Sequence, residues 1–186
     1  MFEPLSNMRT RPRRFIRALI RSERGAAAVE MALVATPFLA LLFGILEIGM
    51  IFLISASLEN GMDLAARTIR TGQLQTGGAA TAAAFKTTIC NTFGWMQSDC
   101  TKNLSVDVRT YTTFASVTAP QPVSNGVFNP AALSFIPGGA GDIVVVRAYY
   151  QWPLIAPMFS QALQQLNGGV ALLTSTAAFR NEPYSG

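Results

Sequence analysis

The sequence contains no histidine, only two cysteines among 186 residues, and charged side chains at just 13% of positions. Without histidine there is no Ser-His or Cys-His dyad and no histidine-ligated metal centre. No phosphate-cradling glycine motif followed by Lys-Ser/Thr occurs, and the GGAGD run at 138–142 lacks the strand-to-helix setting that such a loop needs. Asp99, Asp107 and Asp142 could in principle meet at a calcium ion or serve as acid–base carboxylates, but scattered surface charge explains them better. The reading is therefore of a protein that is not an enzyme and holds no metal or cofactor.

A basic face on the body of the chain is also lacking. Residues 1 to 25 hold seven arginines (Arg9, Arg11, Arg13, Arg14, Arg17, Arg21 and Arg24) against Glu3 and Glu23, a balance of +5, whereas the rest of the chain sums to −1. The basic character belongs to a short leader. That argues against a nucleic-acid partner, which would need positive charge and stacking aromatics on the folded part. An arginine run beside an apolar segment is instead a topogenic signal that keeps the N-terminus on the cytoplasmic side.

The segment that follows is Ala26 to Leu58, whose only formal charges are Glu30 and Glu47. It is too long for the apolar region of a cleavable signal peptide, which disfavours a secreted hydrolase released near Ser55-Ala56-Ser57. Ala26 to Leu46 would rise about 31 Å as a helix, matching a hydrocarbon core of about 30 Å, so membrane lipid is an expected partner. Beyond Glu47 the pattern becomes amphipathic, with Leu58, Met62, Ala65, Ala66 and Ile69 at helical spacing among Glu59, Asp63, Arg67 and Arg70. Gly72 is the expected stop, and Asn60-Gly61 is a point where the rod could bend or break. Pro37 either loosens the span or is simply a tolerated membrane proline. Ala28, Ala32, Thr36, Ala40 and Gly44 recur every fourth position, a line along which a second helix could approach closely, although so alanine-rich a stretch can also produce it by chance.

A carboxylate inside a membrane segment costs about 2.5–3.5 kcal/mol on insertion scales and calls for a positive partner. Glu30 is such a residue. If the chain were cut after Gly25, the new amino group of Ala26 would lie one helical turn away. Glu47, about 26 Å further along the helix, is read as lying near the outer membrane boundary, snorkelling or touching the outer domain rather than pairing subunits.

Residues 21–49, RSERGAAAVEMALVATPFLALLFGILEIG, resemble the type IV-like prepilins, in particular the TadE-like minor pilins or pseudopilins of tight-adherence (Flp, type IVb-like) pilus systems. LENGMDLAARTIRTG at 58–72, DIVVVRAYYQWP at 142–153 and the terminal STAAFRNEP are similar more diffusely. The resemblance implies a leader, residues 1–25, removed at the Gly25-Ala26 junction by a prepilin peptidase on the cytoplasmic side. It implies Glu30 paired with the free N-terminus of a neighbouring subunit, with other pilin and pilus assembly subunits as partners and surface adhesion as the purpose. Residue 31 is methionine, where such junctions often carry an aromatic side chain. An uncleaved single-pass anchor, whose outer domain binds another envelope component, is the competing expectation. Either would sit in the bacterial cytoplasmic membrane with its C-terminal domain outside.

Three regions are expected: the leader 1–25, a helix over 26–72 that is first transmembrane and then amphipathic, and an extracytoplasmic domain over 73–186. The last should hold a helix over Ala79–Thr92, a strand over the alternating LSVDVRTY of 104–111, a strand over Ile143–Tyr150, a short amphipathic helix through Phe159, Ala162, Leu163 and Leu166, and a final strand over Val170–Phe179. The fold class is α+β, a long N-terminal helix followed by a small antiparallel sheet with short helices. The polar 118–142 stretch, with four prolines and four glycines, reads as a surface loop or contact region. Tyr149, Tyr150 and Trp152 read as sheet packing rather than a ligand platform. Cys90 and Cys100 lie too far apart in sequence for metal-type spacing; they read as a disulfide closing a loop worth about 3 kcal/mol, or else as two buried thiols.

Overall fold

The computed structural model describes residues 23–78, 80–155 and 161–184 of the chain. Most of the expected leader, Ala79 at the start of the expected second helix, and Phe159 lie outside the described residues. The chain divides between Ile45 and Leu46 into two compact units.

In the first unit the described residues are the opening part of helix α1, Glu23–Arg70. Alanine, leucine and methionine favour this conformation, and it continues through Pro37. Its apolar side chains, among them Val29, Leu33, Phe38 and Phe43, are exposed. The Thr36 hydroxyl donates to the Ala32 carbonyl at 2.8 Å and so leaves no unpaired donor on this face.

The second unit begins with the remainder of α1. Here Ile54, Leu58, Met62, Ala65 and Ile69 are buried while Glu59, Asp63, Arg67 and Arg70 are exposed, the amphipathic stripe that the spacing predicts. The helix does not break at Asn60-Gly61. A Cβ on Gly61 would stand 2.6 Å from the Ile89 carbonyl oxygen and 2.7 Å from the Thr92 hydroxyl. Glycine is there to admit the backbone of a crossing helix, not to bend the rod. Gly72, at φ 75°, ends α1 as expected.

Short helices follow: α2 at Gln73–Thr76, α3 at Ala82–Cys90, a 3-10 segment at Asn91–Met96 and α4 at Gln97–Asn103. Thr81 caps α3 by accepting from the Ala84 N–H at 3.2 Å. Cys90 and Cys100 form a disulfide, Cα–Cα 5.5 Å, and both are fully buried, so the bridge ties the end of α3 to α4.

The strands are β1 Leu104–Tyr111, β2 Val123–Ser124, β3 Val127–Phe128, β4 Ile143–Pro153 and β5 Val170–Arg180. An antiparallel sheet has the order β1-β4-β5, and β2-β3 form a separate small hairpin. Along β4 alternate side chains go to opposite faces. Val144, Val146, Ala148 and Tyr150 join Leu104, Val106 and Val108 in one core with α1, Phe85 and Ile89. Each large apolar side chain so buried contributes about 1.5–3 kcal/mol. Ile143, Val145, Arg147 and Tyr149, on the other face, are buried as well. What covers them is the 112–142 stretch: Phe128 packs on Tyr149 with ring centroids 5.8 Å apart and the Thr118 carbonyl accepts from Arg147, while Phe135 bridges to Val108 at the open edge of β1 and turns its ring to Phe85 on the helix side. The segment read as a surface loop is thus the second covering layer of the sheet. Of the helix expected through Phe159, Ala162, Leu163 and Leu166, the described residues hold a 3-10 turn at Gln161–Leu163, and Leu166 instead pairs with Val170 across the Asn167-Gly168-Gly169 turn.

Strands and helix lie lengthwise in this unit. The Ile155 N–H meets Glu47 at one end, and at the other the Glu182 N–H donates to the Arg70 carbonyl at 2.8 Å, backed by an Arg70–Glu182 ion pair at 2.9 Å. Glu47 to Arg70 rises about 34 Å as a helix and the eleven-residue β4 spans about 33 Å, so the two elements match in length.

Candidate functional site

Every residue expected to act at the N-terminal end lies on α1. Gly25 is partly exposed; Ala26, Ala28, Glu30, Ala32 and Thr36 are exposed; Ala40 and Gly44 are partly so. Ala26 and Glu30 are four residues apart and share a helix face. Glu30 has no ion-pair partner among the described residues, and a Cβ added at Gly44 would meet nothing within 4 Å. The small-residue line is an open surface. Among the described residues α1 is the one helix long and apolar enough to cross a membrane, and its most apolar 18-residue stretch is only 11% buried, unlike the core helix of a soluble protein.

Glu47 behaves differently from its namesake 17 positions earlier. It is 2% exposed and accepts a hydrogen bond from the backbone N–H of Ile155, the second residue after β4. Contact with the C-terminal domain, one of the two expectations for this residue, is what the structure contains; free snorkelling is not.

Asp107 needs a correction. It was expected among scattered surface charges, yet it is 0% exposed. Its Oδ1 accepts from Arg109 Nε and the Ser134 N–H at 2.8 and 2.9 Å, and its Oδ2 from Arg147 Nη1 at 3.3 Å. Arg147 stands directly opposite on β4 and also donates to the Thr118 carbonyl, while Arg109 donates to that of Ala132 at 2.6 Å. Hydrogen bonding to Asp107 pushes the Arg109 guanidinium further up from its ordinary value. The network pins the covering stretch at 118, 132 and 134. Its trace in the sequence was Arg147, the sole charge in a run of buried β4 residues, which implies a partner. Asp99 and Asp142 are exposed, and no cluster of three or more potential metal ligands occurs among the described residues. Tyr150 packs between Phe93 and Trp152, and burial pushes its phenol up, as it does that of Tyr149; the aromatics are sheet packing.

The fold and this helix define a class: a small α+β domain carried on a helix of membrane-spanning length. Within it, residues 25–67 match the family model described as TadE-like protein, a stretch that starts at the glycine of the expected junction and covers under a quarter of the chain. A TadE-like segment of this kind points to a pilus-associated component. No curated protein and no solved structure matches the chain.

Proposed function

We propose that this chain is a minor pilin or pseudopilin of a tight-adherence pilus: it inserts with residues 1–25 inside, loses them to a prepilin peptidase after Gly25, and passes its helix laterally into a filament or its initiating complex. The observation that carries this reading is the match beginning at Gly25, with Glu30 exposed on an otherwise apolar helix face one turn further on. A buried charge pair in the bundle would offset two groups that are each costly alone, the carboxylate of Glu30 and the amino group of a neighbour's Ala26. The line Ala28, Ala32, Thr36, Ala40 and Gly44 supplies the close helix approach such a bundle requires. The disulfide supports an oxidising location for residues 73–186, outside the cytoplasmic membrane.

The deciding measurement is the mass of the mature protein from cells with active prepilin peptidase. Cleavage gives an N-terminus at Ala26; an intact leader sinks the processing step and leaves the uncleaved envelope anchor. Fractionation with sheared pili, rather than with membranes alone, distinguishes a filament subunit from that anchor.

A further inference from the structure

The end of the second unit nearest Glu47 is a collar poor in charge, bordered by the exposed Asp99. Residues 46–58, 91–98, 151–155 and 161–169 contain one ionisable side chain, Glu47, and it is buried. The charged side chains of this unit lie elsewhere in the sequence, from Glu59 onward. The collar nevertheless exposes large apolar groups: Trp95 is 81% exposed, Phe52 71%, Ile155 70% and Leu53 57%. These side chains come from three of the four segments, so the collar is not the leftover face of one helix.

Their placement follows from contacts within this unit. Ile155 is level with Glu47, to which its N–H donates. Helix α3 runs against α1, since Ile89 lies beside Gly61 and the Thr92 hydroxyl donates to the Ser57 carbonyl at 3.0 Å. The turn after α3 is therefore the part of that hairpin closest to Glu47, and it carries Trp95. Gly94 makes the turn with φ 54° and ψ −118°, and a Cβ there would meet nothing, so the glycine serves the backbone conformation that presents Trp95 to the outside. From Leu46 to Leu53 the helix rises about 10 Å, comparable with the headgroup layer of about 5–8 Å that flanks a hydrocarbon core.

We infer that this collar is a lipid-contacting surface: Trp95 and Ile155 rest in the outer headgroup layer of the membrane that α1 crosses. Tryptophan is favoured at that depth because its ring is apolar and its indole N–H can still reach water or a headgroup. The lack of exposed charge across the four segments fits a layer that charged side chains would leave, and the occupant is continuous with the lipid around the helix. The inference rests on the membrane reading of α1, not on cleavage or on entry into a pilus.

The test uses the full chain reconstituted into phosphatidylcholine–phosphatidylglycerol vesicles containing chain-brominated lipid. Trp152→Phe leaves Trp95 as the sole tryptophan. The expected result is co-flotation with the vesicles and strong quenching of Trp95, several-fold greater with bromine near the headgroup than deep in the chain. Trp95→Phe with Trp152 retained should lose that shallow quenching, which guards against a misfolded first variant. A protein that floats but whose Trp95 emission is solvent-like and unquenched overturns the collar and leaves the membrane helix standing. Blue-shifted emission without quenching assigns the surface to a protein neighbour and likewise overturns it. Failure to float overturns both readings.

Discussion

Two carboxylates on one helix show how a side chain's surroundings decide its use. Glu47 is satisfied within its own unit by a backbone N–H, whereas Glu30 stands on a lipid-length apolar surface with no ion pair among the described residues. Substitution of Glu30 by Ala should therefore leave insertion and thermal stability unchanged while lowering recovery in sheared pili; unchanged recovery would remove Glu30 from assembly. Asp107 belongs to the opposite category, a residue whose work is internal. Asp107→Ala strands the Arg147 guanidinium in the sheet, and breaking a buried pair from one side costs about 3–5 kcal/mol. Against a typical total stability of about 5–15 kcal/mol this should appear as a large drop in Tm. Adding Arg147→Met should restore much of the loss, because the cost is the orphaned charge rather than the missing attraction.

At the level of elements, Gly61 marks where α1 and α3 approach most closely. Gly61→Ala gains helix propensity of up to about 1 kcal/mol but forces a methyl against the Ile89 carbonyl and the Thr92 hydroxyl, an overpacking that costs about 1–3 kcal/mol. A net loss of stability in thermal or denaturant unfolding is expected, and a more stable variant would show that the crossing can widen freely. This position also shows how far sequence pattern reaches. The amphipathic half of α1, β1 over 104–111, and the starts of β4 and β5 were legible because each carries a regular period and a boundary residue. Gly61 was read as a hinge because local sequence cannot distinguish a glycine that bends a helix from one that admits a neighbour. The 118–142 stretch looked like a surface loop because its order comes from Asp107, Arg109 and Arg147 gripping its backbone carbonyls and N–H groups, contacts 23 to 29 residues apart that no periodicity announces. At the membrane end, Gly25, Glu30 and the apolar run were legible as a pattern; the capture of Ile155 by Glu47 was not, since the partner is a backbone group 108 residues away.

For the molecule as a whole, pH should act at the alkaline side. Tyr149 and Tyr150 are both held above their ordinary value, chiefly by burial. The folded state thus favours the neutral phenols. Their contribution is fully present below about pH 10, where the unfolded chain's tyrosines are also protonated, and is lost as pH rises from there through the raised folded values. Thermal unfolding of the full chain in detergent should show Tm falling above about pH 10, with Tyr150→Phe flattening that fall. An equally steep decline in the variant would assign it to other groups.

The paired clasps at the two ends of the helix–sheet body, Glu47 with Ile155 and Arg70 with Glu182, have a mechanical consequence. Because β4 and β5 lie lengthwise along α1 between these clasps, tension applied along this part of the helix reaches the strands parallel to their own direction. The ladder between β4 and β5, eleven residue pairs long, is then loaded in shear, with its hydrogen bonds strained together rather than unzipped one after another. A body built this way resists pulling along the axis of the helix far better than pulling across it.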